Sequence, residues 1–205
     1  MPKAERALVL ATGNAGKVRE LSALLADSAW QVRPQSDFGV SEVEETGLSF
    51  VENALLKARN AAQQTGLPAI ADDSGLVCDA LDGAPGIYSA RYAGPGASDA
   101  ANVQKLLAAL AGVPAGARRC RFVSVMVYLA HAADPCPLIA QGRWEGRVAT
   151  AARGDGGFGY DPVFLVGDGG DTAAELDPAR KNALSHRGQA LRALVAQIRA
   201  ADAGA

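Results

Sequence analysis

Apolar residues recur along the chain in two rhythms, one of period two and one of period near 3.6. Residues 7–11 are an apolar run, and 6–11 predict a short strand. Beyond it Val18, Leu21, Leu24 and Leu25 return at helical spacing up to about Asp27, and residues 30–33 predict a second strand. Ser49-Phe50-Val51-Glu52 has the form of a capping box, whose hydroxyl and carboxylate can satisfy the unpaired N–H groups of a first helical turn. The helix it opens carries Phe50, Ala54, Leu55, Ala58 and Ala62 on one face, and Gly66 and Pro68 close it. Residues 68–71 are apolar again and predict a buried strand that delivers Asp72 and Asp73 to its carboxyl end, where Ser74 and Gly75 turn the chain. Residues 76–81 look extended, and 98–112 predict a helix with Val103, Leu106, Leu107 and Leu110 apolar. A strong strand follows at 121–130, with 138–148 as its hairpin partner and Asp134-Pro135 in the turn. Residues 163–166 predict a last strand, Asp177-Pro178 a short capped helix, and Leu191, Leu194, Val195 and Ile198 a final amphipathic helix.

Strands and helices therefore alternate early, and an antiparallel arm occupies the middle, which is an α/β pattern. Residues 36–47, with Glu42, Glu44 and Glu45, read as a solvated loop. Residues 82–96 are rich in Gly and Pro, with Tyr88, Arg91 and Tyr92 interleaved, and are too long for a plain connector. No internal repeat and no long linker divides the chain, so residues 1–205 are expected to form a single domain.

Composition narrows the function classes. No apolar run approaches the roughly 18 residues of a membrane span. The first residues lead straight into a strand and are wrongly flanked for a signal peptide. Cys78, Cys120 and Cys136 are odd in number and lack Cys-x-x-Cys spacing, which indicates neither a disulfide framework nor zinc. These features predict a cytoplasmic protein. A net charge of −2 argues against a duplex nucleic-acid binder, which needs a broad basic face. Arg143, Arg147 and Arg153 read as a solvated sheet face.

Three chemistries remain. Thr12, Gly13, Asn14, Ala15, Gly16 and Lys17 turn a strand into a helix, a place where unpartnered N–H groups and the helix dipole favour an anion. A Walker A loop is excluded, since it needs four residues between Gly and Gly-Lys, whereas two intervene here and Val18 follows. Lys17, Lys57 and Lys181 add compact positive charges suited to phosphate oxygens, and Lys57 lies four residues from Asn53, on the same helix face. Glu44, Glu45, Asp72 and Asp73 offer the hard oxygens that suit Mg²⁺, which binds through one or two carboxylates plus phosphates and waters. Phe158, Tyr160 and Asp161, with His186 and Arg187, offer a ring for stacking and polar groups for a base edge. Phosphates, magnesium and a base describe a nucleotide.

Six motifs carry a closer likeness: Thr12-Gly13-Asn14-x-Gly16-Lys17, Ser49-Phe50-x-Glu52-Asn53-Ala54, Ala71-Asp72-Asp73-Ser74-Gly75-Leu76, Gly83-Ala84-Pro85-Gly86-x-Tyr88-Ser89-Ala90-Arg91, Phe158-Gly159-Tyr160-Asp161-Pro162 and Ser185-His186-Arg187-Gly188. In this order, from residue 8 to about 198, they resemble the bacterial non-canonical purine nucleoside triphosphate pyrophosphatases of the inosine triphosphate pyrophosphatase family. The resemblance implies an elongated α/β fold of two lobes, with a long central mixed sheet flanked by helices and a cleft between the lobes. It also implies hydrolysis of dITP, ITP and XTP to monophosphate and pyrophosphate, a Mg²⁺ requirement and a homodimer. By position Asp73 would be the proton acceptor and a metal ligand, with Glu44 or Glu45 as the second metal carboxylate and Asp72 a further candidate. The Thr12–Lys17 turn and Lys57 would bind phosphates, and Ser74 would touch substrate; Phe158, Gly159, Tyr160, Asp161, Lys181, His186 and Arg187 would hold the base and remaining phosphates. N–H groups of His186 and Arg187 at the 6-oxygen would favour hypoxanthine and xanthine over adenine. The rival readings are a related pyrophosphatase of pyrimidine or modified nucleotides, and a base-stacking RNA or nucleotide sensor.

Overall fold

The computed structural model describes residues 6–12, 15–167 and 170–203. Its strands are β1 (Arg6–Leu10), β2 (Trp30–Pro34), β3 (Ala69–Cys78), β4 (Arg119–Leu129), β5 (Leu138–Val148) and β6 (Phe164–Val166). Its helices are α1 (Ala15–Leu24), α2 (Phe50–Thr65), α3 (Asp99–Ala109), α4 (Pro178–Leu184) and α5 (His186–Ala203). The strands form one mixed sheet in the order β2-β1-β3-β4-β5-β6. β1 is parallel to both β2 and β3, with Val9 opposite Arg33 on one side and Ala69 on the other. Leu8, Val9 and Leu10 are all buried, as expected of a parallel strand covered on both faces. β5 and β6 pair antiparallel, with Arg147 opposite Leu165. The α/β expectation and the mixed sheet flanked by helices are thus met.

The turn expected at Ser74-Gly75 is absent. β3 continues through Asp72, Asp73, Ser74 and Gly75 as extended chain to Cys78. Leu76 and Cys78 are each 1% exposed, so the apolar run resumes beyond the carboxylates, and β3 has β1 and β4 on its two sides. Ladder pairing and burial outweigh the local turn preference of Asp-Asp-Ser-Gly. The two carboxylates therefore leave the middle of a strand toward opposite faces, rather than its end. The extended segment expected at 76–81 also stops early, because a 3-10 helix takes over at Asp79–Leu81. A second 3-10 helix, Gly86–Arg91, orders the middle of the long loop.

The chain divides into two compact units, the first made of residues 1–73, 125–141 and 190–205 and the second of 74–124 and 142–189. In the first, the core gathers Leu8, Leu21, Ile70 and Met126 with the predicted stripe of Leu191, Leu194, Val195 and Ile198. Trp30 is held at its edge, its Nε1–H donating to Asp202 at 2.7 Å beneath the Arg6 guanidinium. In the second, Leu76, Leu106, Phe122, Trp144 and Phe164 form the core, with Phe122 and Phe164 ring centroids 4.6 Å apart. The buried Arg118 donates to the carbonyls of Leu110, Val113 and Ala149, which satisfies its guanidinium and the C-terminal end of α3.

Candidate active site

The start of α2 determines what faces Asp73. Ser49 Oγ accepts from Glu52 N, and the Glu52 carboxylate accepts from Leu48 N at 2.9 Å and Ser49 Oγ at 2.6 Å, so the capping box forms with its return bond one residue early. With the first turn fixed, Asn53 and Lys57 lie one helical turn apart on the face toward β3. Lys57 Nζ donates to Asp73 Oδ1 at 3.0 Å and to Glu45 Oε1 at 2.6 Å. Asn53, fully buried, donates from Nδ2 to Asp73 Oδ2 at 3.4 Å and accepts from Gly47 N at 2.9 Å. The Gly47 N–H can only donate, so it fixes which end of the Asn53 amide points at Asp73. Gly47 itself presses onto α2: a Cβ there would lie 2.5 Å from Glu52 Cβ and 2.7 Å from Asn53 Oδ1.

Two carboxylates share one ammonium, that of Lys57. Burial pushes the Asp73 carboxyl up; Lys57 and Asn53 pull it down, Glu45 adds to the rise, and the net value stands above the ordinary range. Burial alone would lower Lys57, yet Asp73 and Glu45 together raise it. Lys57 gains from both acids, whereas Asp73 also bears the repulsion of Glu45. A carboxylate held upward in this way is nearer to accepting a proton at neutral pH.

The neighbouring candidates separate clearly. Glu44 is exposed, and Glu45 is the acid that reaches Lys57. Asp72 is 6% exposed and both its oxygens accept from Lys17 Nζ, at 2.8 and 2.7 Å. Lys17 stands on the first turn of α1 with Ala15 and Gly16, and Thr12 N donates back to Leu10 O. Gly13 and Asn14 lie outside the described residues. Among the described residues no three acids, histidines or cysteines gather as a metal cage. Asp73 and Glu45, brought together on Lys57, are instead a set of two hard carboxylate ligands, a donor chemistry that fits Mg²⁺.

The second unit carries the aromatic candidates. Phe158 is 63% exposed, at the tip of a glycine-rich loop, and Lys181 Nζ sits 4.7 Å from its ring centroid. Asp161 Oδ2 accepts from both Phe158 N, at 2.7 Å, and Lys181 Nζ, at 2.5 Å. Gly157, at φ +78°, makes room for that pair: a Cβ would fall 2.2 Å from Asp161 Oδ2 and 2.8 Å from Lys181 Nζ. Lys181 comes from α4, whose N-cap Asp177 accepts from Arg180 N as Asp177-Pro178 predicts. Gly159 N donates to Asp99 Oδ2 at 2.7 Å. Tyr160 is 4% exposed and its hydroxyl donates to Ser89 O at 2.8 Å, so its ring belongs to the core and burial raises its phenol. His186 and Arg187 open α5, both partly buried, and the His186 ring stacks on Phe122 at 4.8 Å. Ser74 is exposed on β3.

Asn53 and Asp99 had no assigned role in the sequence. The four-residue spacing to Lys57 points to Asn53; nothing local points to Asp99. Comparison with known proteins adds the context. The profile of the Ham1 family matches residues 8–197. The chain belongs to the Ham1 family. This Ham1 chain is 65% identical over 191 residues to a protein of Thioalkalivibrio sulfidiphilus (strain HL-EbGR7) named dITP/XTP pyrophosphatase, a match covering 93% of this chain and 97% of that one. It is 60% identical to the dITP/XTP pyrophosphatase of Methylococcus capsulatus (strain ATCC 33009 / NCIMB 11132 / Bath), covering 97% and 99%. Among solved structures, the HAM1 protein of Coxiella burnetii matches with a TM-score of 0.91 at 50% identity, covering 95% of this Ham1 chain and 98% of that one.

Proposed function

We propose that this Ham1 chain hydrolyses deaminated purine nucleoside triphosphates, dITP, ITP and XTP, to the monophosphate and pyrophosphate. The observation that carries the reading is the convergence of Asp73, Glu45, Asn53 and Lys57 on one face of α2 and β3, in a chain so similar to proteins named for that activity. Asp73 accepts the proton of the attacking water; a positioned base contributes about 10²–10⁴-fold. Asn53 and Lys57 each hold one Asp73 oxygen, so the carboxylate is oriented before substrate arrives. Asp73 and Glu45 would hold Mg²⁺, which when bound offsets the negative charge that builds on phosphoryl oxygens. Lys17, from the start of α1, adds positive charge to the same phosphates. Phe158 offers its exposed face to the purine, and the N–H groups of His186 and Arg187 discriminate a 6-oxo acceptor from the 6-amino donor of adenine. The family resemblance also suggests a homodimer.

Pyrophosphate release from dITP, dATP and dGTP, each with Mg²⁺ and with excess chelator, tests the reading. The expected result is rapid, metal-dependent release from dITP alone. Orthophosphate as first product, or equal rates with chelator present, would overturn it.

A further inference from the structure

The tip of the loop that carries Phe158 has little apolar packing to hold it in shape. Gly154, Gly156, Gly157 and Gly159 contribute no side chains, and three of them adopt positive φ, so the segment has much freedom to lose. Its base is seated on Ala174, where Gly156 N donates to Ala174 O at 3.2 Å. Phe158 is 63% exposed and cannot anchor the tip. What fixes the tip is polar. Asp161 binds Phe158 N from within the loop, and Asp99, some sixty residues earlier, binds Gly159 N at 2.7 Å. Asp99 is itself mounted on a rigid base. Ser98 caps α3 through Ala101 N, and the buried Asn102 ties the first turn of α3 to Ala93 N at 2.7 Å and Ala90 O at 3.1 Å. The same 86–99 stretch receives the hydroxyl of Tyr160 at Ser89 O, so it grips the two residues that directly follow the ring.

We propose that Asp99 is a positioning residue for purine recognition: its carboxylate holds the Gly159 N–H and thereby presents the Phe158 ring to the base. The assignment rests on the nucleotide reading above and adds to it a residue outside the substrate contacts. A charge-assisted bond from a carboxylate to a backbone N–H is stronger than a neutral one. Without it the ring spends much of its time in other orientations, and apparent affinity falls by the fraction of molecules that remain competent. The chemical step, carried by Asp73, is untouched.

The experiment measures kcat and KM for dITP in Asp99→Ala, Asp99→Asn, Ser98→Ala, Phe158→Ala and the Asp99→Ala/Phe158→Ala double variant, all in the full chain. Asp99→Ala should raise KM about five- to tenfold with kcat within about twofold. Asp99→Asn keeps an acceptor oxygen and should recover most of the loss. Ser98→Ala weakens the same helix end without touching the loop, and should lower thermal stability while leaving KM unchanged. In the double variant the two effects should not multiply, because each removes the same stacking surface. A KM unchanged in Asp99→Ala, raised equally by Ser98→Ala, or multiplied in the double variant would overturn the assignment. Amide hydrogen exchange over residues 157–160 tests the tether without any substrate. Faster exchange in Asp99→Ala sustains it even if dITP proves the wrong nucleotide, and unchanged exchange sinks it even if dITP is the right one.

Discussion

Lys57 and Lys181 each donate to an aspartate, at 3.0 and 2.5 Å, yet the two ion pairs do opposite things. Around Lys57 a second acid, Glu45, shares the ammonium, and its repulsion helps to push the Asp73 carboxyl up. Around Lys181 the charges match one to one, Asp161 is occupied by a backbone N–H as well, and the ammonium rests against the Phe158 ring. In the proposed reading the first arrangement would hold a cation and ready a base, whereas the second is a latch that shapes a loop. The difference lies in the neighbours of the pair, since ion pairs of equal geometry contribute according to what else shares them.

Substitutions can break that contrast. Asp73→Asn should lower kcat for dITP about 10²–10⁴-fold while thermal stability is retained, and near-normal turnover would remove Asp73 from the chemistry. Glu45→Gln should raise the Mg²⁺ concentration needed for half-maximal rate about tenfold or more, whereas Glu44→Gln should leave it within about twofold. Equal effects at both positions would show that metal affinity does not depend on which acid sits beside Lys57. Gly157→Ala should cost about 1–3 kcal/mol of stability and raise KM more than it lowers kcat, because the new methyl group strikes the Asp161–Lys181 latch. A kcat defect without a KM defect would assign that pair to the chemical step instead.

The mildest effect belongs to a carboxylate held chiefly by backbone. Burial pushes Asp134 up, but the N–H groups of Ala130 and Cys136, with the charges of His131 and Arg59, outweigh it and hold its carboxyl below the usual range. A depressed folded value means the stabilisation is present above the unfolded value of about 3.9 and is lost as pH falls through the lowered one. Asp134→Asn should therefore cost about 1 kcal/mol at pH 7 in urea unfolding, and the gap to the unaltered chain should close under strongly acid conditions. Activity at pH 7 should not change.

The sequence declared some of this outright. A capping box, a left-handed glycine and apolar residues a turn apart define α2 at both ends, since each acts within a few residues of itself. The apolar and β-branched run at 121–130 likewise announces β4. Asp72-Asp73-Ser74-Gly75 misleads because its turn preference is local, while what overrides it, the neighbouring β4 and the burial of Leu76 and Cys78, depends on chain far away. Glu44 and Glu45 could not be told apart because an irregular loop has no period to assign faces. Tyr160 looked like a stacking ring beside Phe158, yet one is buried and the other exposed, a distinction made by Ser89 far upstream. Asp99 was invisible for the same reason.

Gly47 shows how little matter such a site can depend on. A single hydrogen stands where any other residue would place carbon, and that atom sets how far the acidic loop descends toward α2. Alanine there would leave every acid, amide and ammonium in the polypeptide while lifting Glu45 away from its companions. Titrating Mg²⁺ against Gly47→Ala should reveal an enzyme that has all its reactive groups and has lost their spacing; an unaltered titration would mean that the loop yields freely.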